Sequence, residues 1–382
     1  MTALDQVVDG RRVVICAGPG GVGKTTCAAA IALEAARRGK RACVVTIDPA
    51  KRLADALGLE SLTNDARQVD LGPSGSGTGP GELWALMLDT KTTFDEVVRR
   101  NAGSAEQAQA ILDNKLYRNI SGALGGTQEY MAMEKLYSLD SEGHYDLIVV
   151  DTPPTRHALD FLDAPKRLLR FLNNRIFRLL MAPTRASLRA LGTATQMFLR
   201  TLSKVVGGAV VGDAVAFFTA FEGMEQGFRD RAALVSKLLE DPATAFVVVA
   251  APRRDAVVEA VYFADRLRSS TGRVEALVAN RMFPSFGGVP AGLAGAASAT
   301  SSEGSAEGDG SAVAVLAQNL ADFEGVSSRE EAHLSELSER LPGTPVVRVP
   351  FLSTDVHDIE GLREIGGYLF GGEGGDGRGG ER

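Results

Sequence analysis

The stretch Val13-Val14-Ile15-Cys16-Ala17-Gly18-Pro19-Gly20-Gly21-Val22-Gly23-Lys24-Thr25-Thr26 runs from an apolar segment into a glycine cluster that ends on a lysine and two threonines. The helix-forming run Cys27 to Arg38 follows at once. This order reads as strand, phosphate-binding loop, helix. The pattern G-x-x-x-x-G-K-[ST] needs glycines so that backbone N–H groups can turn inward around phosphates. It needs a lysine to reach the β and γ oxygens and a hydroxyl to hold Mg²⁺. The start of the helix adds unpaired N–H donors and the positive end of its dipole. Gly20, Gly21, Val22, Gly23, Lys24, Thr25 and Thr26 are therefore the expected contacts for a nucleoside triphosphate.

Outward from this stretch, short β-branched runs recur between helical or glycine-rich segments. They are Arg12 to Ala17, Ala42 to Ile47, Leu83 to Leu88, Leu147 to Asp151, Ala245 to Ala251, Val274 to Ala279 and Val346 to Val349. Such alternation predicts an α/β fold with three layers, a mostly parallel twisted sheet between helices. Several runs are apolar throughout, as strands covered on both faces must be. Ligand chemistry should gather at their C-terminal ends. The expected organisation is one nucleotide-binding domain over residues 1–382, with a helical subdomain inserted at 156–240. A glycine, serine and proline loop is expected from Gly72 to Gly81. A flexible insertion without periodicity is expected at 287–312 and a disordered tail at 371–382.

The 382 residues suffice for a large core, and the composition is that of an ordinary globular protein. The net charge of −7 supplies no global basic field, so no nucleic-acid partner is expected. Met1 to Gly10 lacks a charged-then-apolar leader pattern, and the longest apolar stretch, Val205 to Phe221, is broken by Gly207, Gly208, Gly212 and Asp213. A cytoplasmic protein is expected, with peripheral association at a membrane left open. The three cysteines, Cys16, Cys27 and Cys43, have no C-x-x-C spacing and read as buried thiols.

The first half of the helical region is basic, with ten Lys or Arg against two Asp from Arg156 to Lys204. Leu168, Leu169, Leu172, Ile176, Leu179 and Leu180 follow helical spacing, while Arg167, Arg170, Asn174 and Arg178 take the other face. Lys166 to Arg189 could meet anionic lipid or a membrane partner, or form a solvated face. Downstream, Phe198, Leu199, Val210, Val211, Val215, Phe217, Phe218, Phe221, Met224 and Phe228 read either as the lining of an apolar groove or as the core of the helical layer.

Phosphoryl transfer needs a metal-holding carboxylate and a positioned water beside the loop. Asp48 and Asp151 stand at the ends of the second and fourth of these predicted strands, in Thr46-Ile47-Asp48-Pro49-Ala50 and Val149-Val150-Asp151-Thr152-Pro153-Pro154. The alternative for either is a helix cap or a solvated turn.

Gly20 to Thr26, Asp48-Pro49-Ala50, and Asp151 to His157 running into Leu159-Asp160-Phe161-Leu162 resemble the deviant phosphate loop and two switch segments of the ArsA-type (arsenite-pump) ATPases of the SIMIBI class. The ATPases that target tail-anchored membrane proteins are relatives in that family. Val278-Ala279-Asn280-Arg281 and Val349-Pro350-Phe351-Leu352 resemble its adenine-binding segments. The resemblance implies ATP and Mg²⁺ as cofactors, Lys24 on the phosphates, Thr25 on the metal and Thr26 on the phosphates nearest the sugar. It implies that Asp48 orients the attacking water, that Asp151 steadies the Mg²⁺ shell, and that Asn280, Pro350 and Phe351 meet the adenine. It further implies a dimeric, hydrolysing ATPase whose nucleotide state switches the helical subdomain around a hydrophobic or membrane-protein client. The alternatives are an ATPase subunit that energises an anion transporter and a partition or septum-placement ATPase.

Two departures qualify this. The family's second loop residue is typically a lysine that crosses a dimer interface, and here Pro19 has neither charge nor N–H. Hydrolysis is then expected to be slow without a partner, with Arg52 or Arg156 as replacement cations, or with a paralogous subunit in a heterodimer rather than a homodimer. The region after Asn280 holds no cysteine, so neither a zinc pair nor a soft-metalloid site is expected there.

Overall fold

The computed structural model describes residues 2–48, 50–72, 81–120, 127–173, 208–270, 274–284 and 309–371. The loop at 73–80, the basic stretch at 174–207, the insertion at 285–308 and the tail at 372–382 lie outside them.

Helix α1 (Ala3–Gly10) leads into β1 (Val13–Ala17), α2 (Lys24–Arg37), β2 (Arg41–Thr46), α3 (Arg52–Ala56), β3 (Arg67–Val69) and β4 (Glu82–Met87). Helices α4 (Thr90–Asn101), α5 (Ala105–Leu112), α6 (Lys115–Ile120) and α7 (Thr127–Glu142) precede β5 (Leu147–Asp151). Then come α8 (Thr155–Leu172), α9 (Gly208–Phe221), α10 (Glu225–Glu240), β6 (Thr244–Ala250), α11 (Arg254–Ser270) and β7 (Val274–Met282). The chain closes with α12 (Asp309–Arg340), β8 (Val346–Pro350) and α13 (Ile359–Phe370).

The eight strands form one sheet in the order β3-β4-β2-β5-β1-β6-β7-β8. All neighbours run parallel except β3, a three-residue edge strand antiparallel to β4 that the sequence pattern did not announce. Side chains alternate faces along each strand, so each face of β1 feeds a different core. Val14 and Cys16 pack with α1, α2 and α13, where Leu4, Ile31 and Leu362 are fully buried. Val13, Ile15 and Ala17 pack on the other side with Leu136 of α7, Val235 of α10, Phe263 of α11 and Leu337 of α12. Each buried Val, Ile or Leu contributes roughly 1.5–3 kcal/mol. The sheet is thereby held from both sides, the three-layer arrangement expected of its apolar strands.

A third cluster builds the helical layer. Val97, Val98, Ile111, Tyr117, Tyr130 and Met131 from α4 to α7 meet Leu172, Phe217, Phe221, Met224 and Phe228 from α8 to α10. The layer therefore draws on α4 to α7 as well as on the 156–240 segment. Its centre is an aromatic chain. Phe94 stacks on Tyr117 at 5.2 Å, and Phe217 on Phe221 at 5.7 Å, with Phe228 a further 5.1 Å on. Of the ten apolar residues weighed as groove or core, Phe217, Phe221, Met224 and Phe228 are at most 7% exposed and belong to this core. Phe218 packs against it. The side chains of Phe198, Leu199, Val210, Val211 and Val215 lie outside the described residues.

Helix α12 revises the insertion expected at 287–312. Residues 309–312 are its first turn, because a long helix that runs to Arg340 extends by one turn at little cost even through the weak helix formers Asp309, Gly310 and Ser311. Among the described residues no helix is long and apolar enough to cross a membrane.

Candidate nucleotide site

β1 ends at Ala17 and the chain turns through the glycines into α2, whose first turn has Gly23 as its cap and no side chain closing its N–H groups. Two glycines are required by geometry. A Cβ on Gly18 would stand 1.9 Å from the Val249 carbonyl oxygen. Gly23 has φ +91°, and its Cβ would stand 2.1 Å from Asn280 Nδ2. The loop is thus pressed against β6 and β7 at positions no larger residue could take.

Gly21, Gly23, Lys24, Thr25, Thr26, Asp48, Asn280, Pro350 and Phe351 all line one cleft of about 600 Å³ at the C-terminal edge of the sheet. Of the other two residues expected in the loop, Val22 is buried behind the cleft and Gly20 lines an adjoining pocket with Pro19, Pro154 and Arg253. Lys24 is 7% exposed and its Nζ donates to the Pro19 carbonyl at 2.8 Å. Burial pulls its pKa down, and the carboxylates of Asp151 and Asp48 pull it back up.

Asp151 sits beneath Thr25. The register pairs it with Cys16 of β1 and Thr46 of β2, so adjacent parallel strands carry it to the loop. Its Oδ2 accepts from Thr25 Oγ1 at 2.7 Å and from Thr46 Oγ1 at 2.9 Å. Its Oδ1 is buried without a partner. Burial pushes the pKa up to about 6, against the two hydroxyl bonds and Lys24, which pull it down. A 1% exposed carboxylate held by hydroxyls is neither a solvated turn nor a helix cap. An orphaned carboxylate oxygen beside a threonine hydroxyl whose lone pairs remain open is a donor set that fits Mg²⁺, which takes hard oxygen ligands and keeps several waters.

Asp48 lies on the cleft wall. Its Oδ1 accepts from the Ala50 N–H at 3.0 Å and its Oδ2 faces Arg52 Nη1 at 3.3 Å. The turn weighed as its alternative role is therefore present, with the carboxylate also on the cleft. Asn280, 5% exposed, donates through Nδ2 to the Val22 carbonyl at 2.8 Å. Pro350 and the half-exposed Phe351 close the far side, with Phe351 stacked on Phe283 at 6.0 Å. The side chain of Arg156 lies outside the described residues.

The cysteines take no part. Cys16, Cys27 and Cys43 are buried and free, and burial pushes Cys27 and Cys43 up to about 12. Among the described residues no cluster of His, Cys, Asp and Glu could hold a metal on its own. Sequence reasoning missed Arg253 beside Pro19, Thr354, Asp355 and His357 on the cleft, and the contact of Arg281 with the loop. Only Arg281 had a visible signal, as the residue after Asn280.

The sequence pattern of the ArsA ATPase family, described as anion-transporting ATPase, matches residues 11–287, which include the loop, both aspartates and Asn280. The chain belongs to this family. It is similar to the ATPase GET3 of Kluyveromyces lactis, 31% identical over 173 residues that make up 42% of this chain and 47% of the relative. The ATPase GET3 of Eremothecium gossypii is 30% identical over 171 residues, 42% of this chain and 46% of the relative. That of Malassezia globosa is 27% identical over 250 residues, 64% of this chain and 66% of the relative. The chain thus spans about half the length of the first two relatives and 66% of the third.

Proposed function

We propose that this chain binds Mg-ATP in the cleft and hydrolyses it, and that nucleotide state shifts the helical layer to engage a hydrophobic or membrane-protein client. The observation that carries the reading is the seat of Asp151, hydrogen-bonded to Thr25 with one buried oxygen left over. Thr25 would hold Mg²⁺, with Asp151 steadying its shell through Thr25 or a water. The metal supplies positive charge to the transferring phosphoryl group. Lys24 would leave the Pro19 carbonyl for the phosphates, and Thr26 would take those nearest the sugar. Asp48 orients the attacking water. Phe351 and Pro350 would lie against the adenine, and Asn280 would face its edge with whatever donor the Val22 carbonyl leaves free.

Pro19 leaves the loop without a second cation, so turnover is slow unless a partner subunit or a nearby arginine completes the charge. Arg52, now paired with Asp48, or Arg253, which lines the pocket beside Pro19 and faces Asp255, would have to turn toward the phosphates to do so. The functional unit in this reading is a homodimer or a heterodimer with a paralogous ATPase, at work in the cytoplasm.

Energetics limits how the client is met. Turning out Phe217, Phe221, Met224 and Phe228 would cost roughly 6–12 kcal/mol, well above the 1–3 kcal/mol of typical coupling between sites. Client contact therefore falls to other residues of the layer. The family's description favours a second reading, an ATPase subunit energising an anion transporter. Salt-sensitive flotation with anionic vesicles supports that reading, and ATP-dependent capture of hydrophobic peptides supports the first. Lys24→Ala tests the common core. Its ATP affinity, measured by calorimetry, should drop below detection, and affinity equal to the unmodified chain removes the site assignment.

A further inference from the structure

A loop that turns its N–H groups toward an anion leaves carbonyl groups facing away from it, and each of those needs a donor or water. In this chain three loop carbonyls have side-chain donors. Lys24 takes that of Pro19, Asn280 that of Val22, and Arg281 Nη1 that of Gly21 at 3.1 Å. Two consecutive residues of β7 thus hold two consecutive carbonyls of the loop. A regular strand cannot do this, because neighbouring side chains point to opposite faces.

The backbone explains how β7 does it. Arg281 has φ +63° and is the only non-glycine with positive φ among the described residues. The β7–β8 ladder slips at the same point, with Asn280 opposite Val349 and Met282 opposite Pro350. The bulge swings Arg281 to the side Asn280 already occupies. Left-handed backbone is strained for a non-glycine residue, and such strain persists where the surroundings require it. Here the requirement is the reach to Gly21. Gly23 completes the fit, since any side chain there would displace the Asn280 amide.

We propose that Arg281 is a positioning residue that, with Asn280, clamps the carbonyl side of the phosphate loop so that its N–H side is set for the triphosphate before ligand arrives. The proposal rests on the Mg-ATP reading for its ligand but not for its geometry. Removing the guanidinium frees the Gly21 peptide to rotate and leaves the binding groups to be ordered at the moment of binding.

The test uses the full chain with Arg281→Gly and Arg281→Asn, both tolerant of left-handed backbone and too short for the contact, and Arg281→Lys as the conservative variant. Hydrogen exchange of the loop amides in nucleotide-free protein should quicken in the Gly and Asn variants, while their melting temperatures stay equal to the unmodified chain or rise. Mg-ATP affinity by calorimetry should weaken about fivefold, the scale of one hydrogen bond at an exposed site, and Arg281→Lys should recover part of both effects. Unchanged loop exchange overturns the clamp whatever the affinity does, because a loss of affinity alone would mean direct contact with nucleotide. Melting well below the unmodified chain also overturns it, by making Arg281 a general stabiliser. If the unmodified chain binds no ATP, the functional reading fails while the exchange data still decide the clamp.

Discussion

Replacing Asp151 by asparagine should make the nucleotide-free protein more stable and a poorer binder of Mg-ATP at once. Asp151 ionises at about 6 in the fold against an ordinary 3.8, because it is buried with one oxygen unpartnered. A shift of roughly 2 units costs about 3 kcal/mol whenever the group is charged, at 1.36 kcal/mol per unit. Asparagine keeps an oxygen for the Thr25 and Thr46 hydroxyls and removes the charge. It also buries an amide N–H without a partner, at roughly 1–3 kcal/mol. The net expectation is a gain of about 0–2 kcal/mol at pH 7.5. The sign follows from proton counting. Between about pH 4 and 6 the folded chain holds a proton on Asp151 that the unfolded chain has released, so stability falls as pH rises through that window and is level above it. The advantage of the variant should therefore be full at pH 7.5 and vanish or reverse near pH 4. Urea unfolding of both proteins at several pH values reads this directly, and calorimetry reads at least a tenfold loss of Mg-ATP affinity. A variant less stable than the unmodified chain at pH 7.5, or one whose advantage ignores pH, refutes the burial argument. Undiminished Mg-dependent binding refutes the role beside the metal.

Asp48→Asn should spare ATP binding and cut single-turnover hydrolysis at least a hundredfold; an unchanged rate takes the water away from Asp48. Gly23→Ala should lose about 2 kcal/mol or more, since it combines left-handed alanine with displacement of the buried Asn280 amide; an unfolding free energy in urea within about 0.5 kcal/mol of the unmodified chain contradicts it. Phe217→Ala should cost about 3–5 kcal/mol as a cavity opens in the aromatic chain. The same substitution would leave stability untouched if Phe217 lined an open groove, so denaturation separates the two.

The sheet was legible because its strands are long and apolar and are punctuated by glycine, and the site was legible because Lys24, Thr25, Asp48 and Asp151 sit where strands end. β3 escaped because three residues with two of them exposed carry no periodicity. Helix α12 escaped at its start because Gly310, Ser311 and Ala312 look like linker until the helix that follows recruits them. The share of α4 to α6 in the helical layer was invisible because Tyr117 and Phe217 are a hundred residues apart and meet only in three dimensions. The double hold on the loop was hidden for a different reason. Asn280 and Arg281 face the same way only because one residue leaves the strand conformation, and no pattern of residue types announces a positive φ at an arginine.

Helix α7 belongs to two cores, with Tyr130 and Met131 among the aromatics and Met133, Leu136 and Leu139 against the sheet. It serves as a keel. Residues 155–240 expressed alone would lose the seat that Tyr130 and Met131 give to Phe217, Phe221 and Phe228.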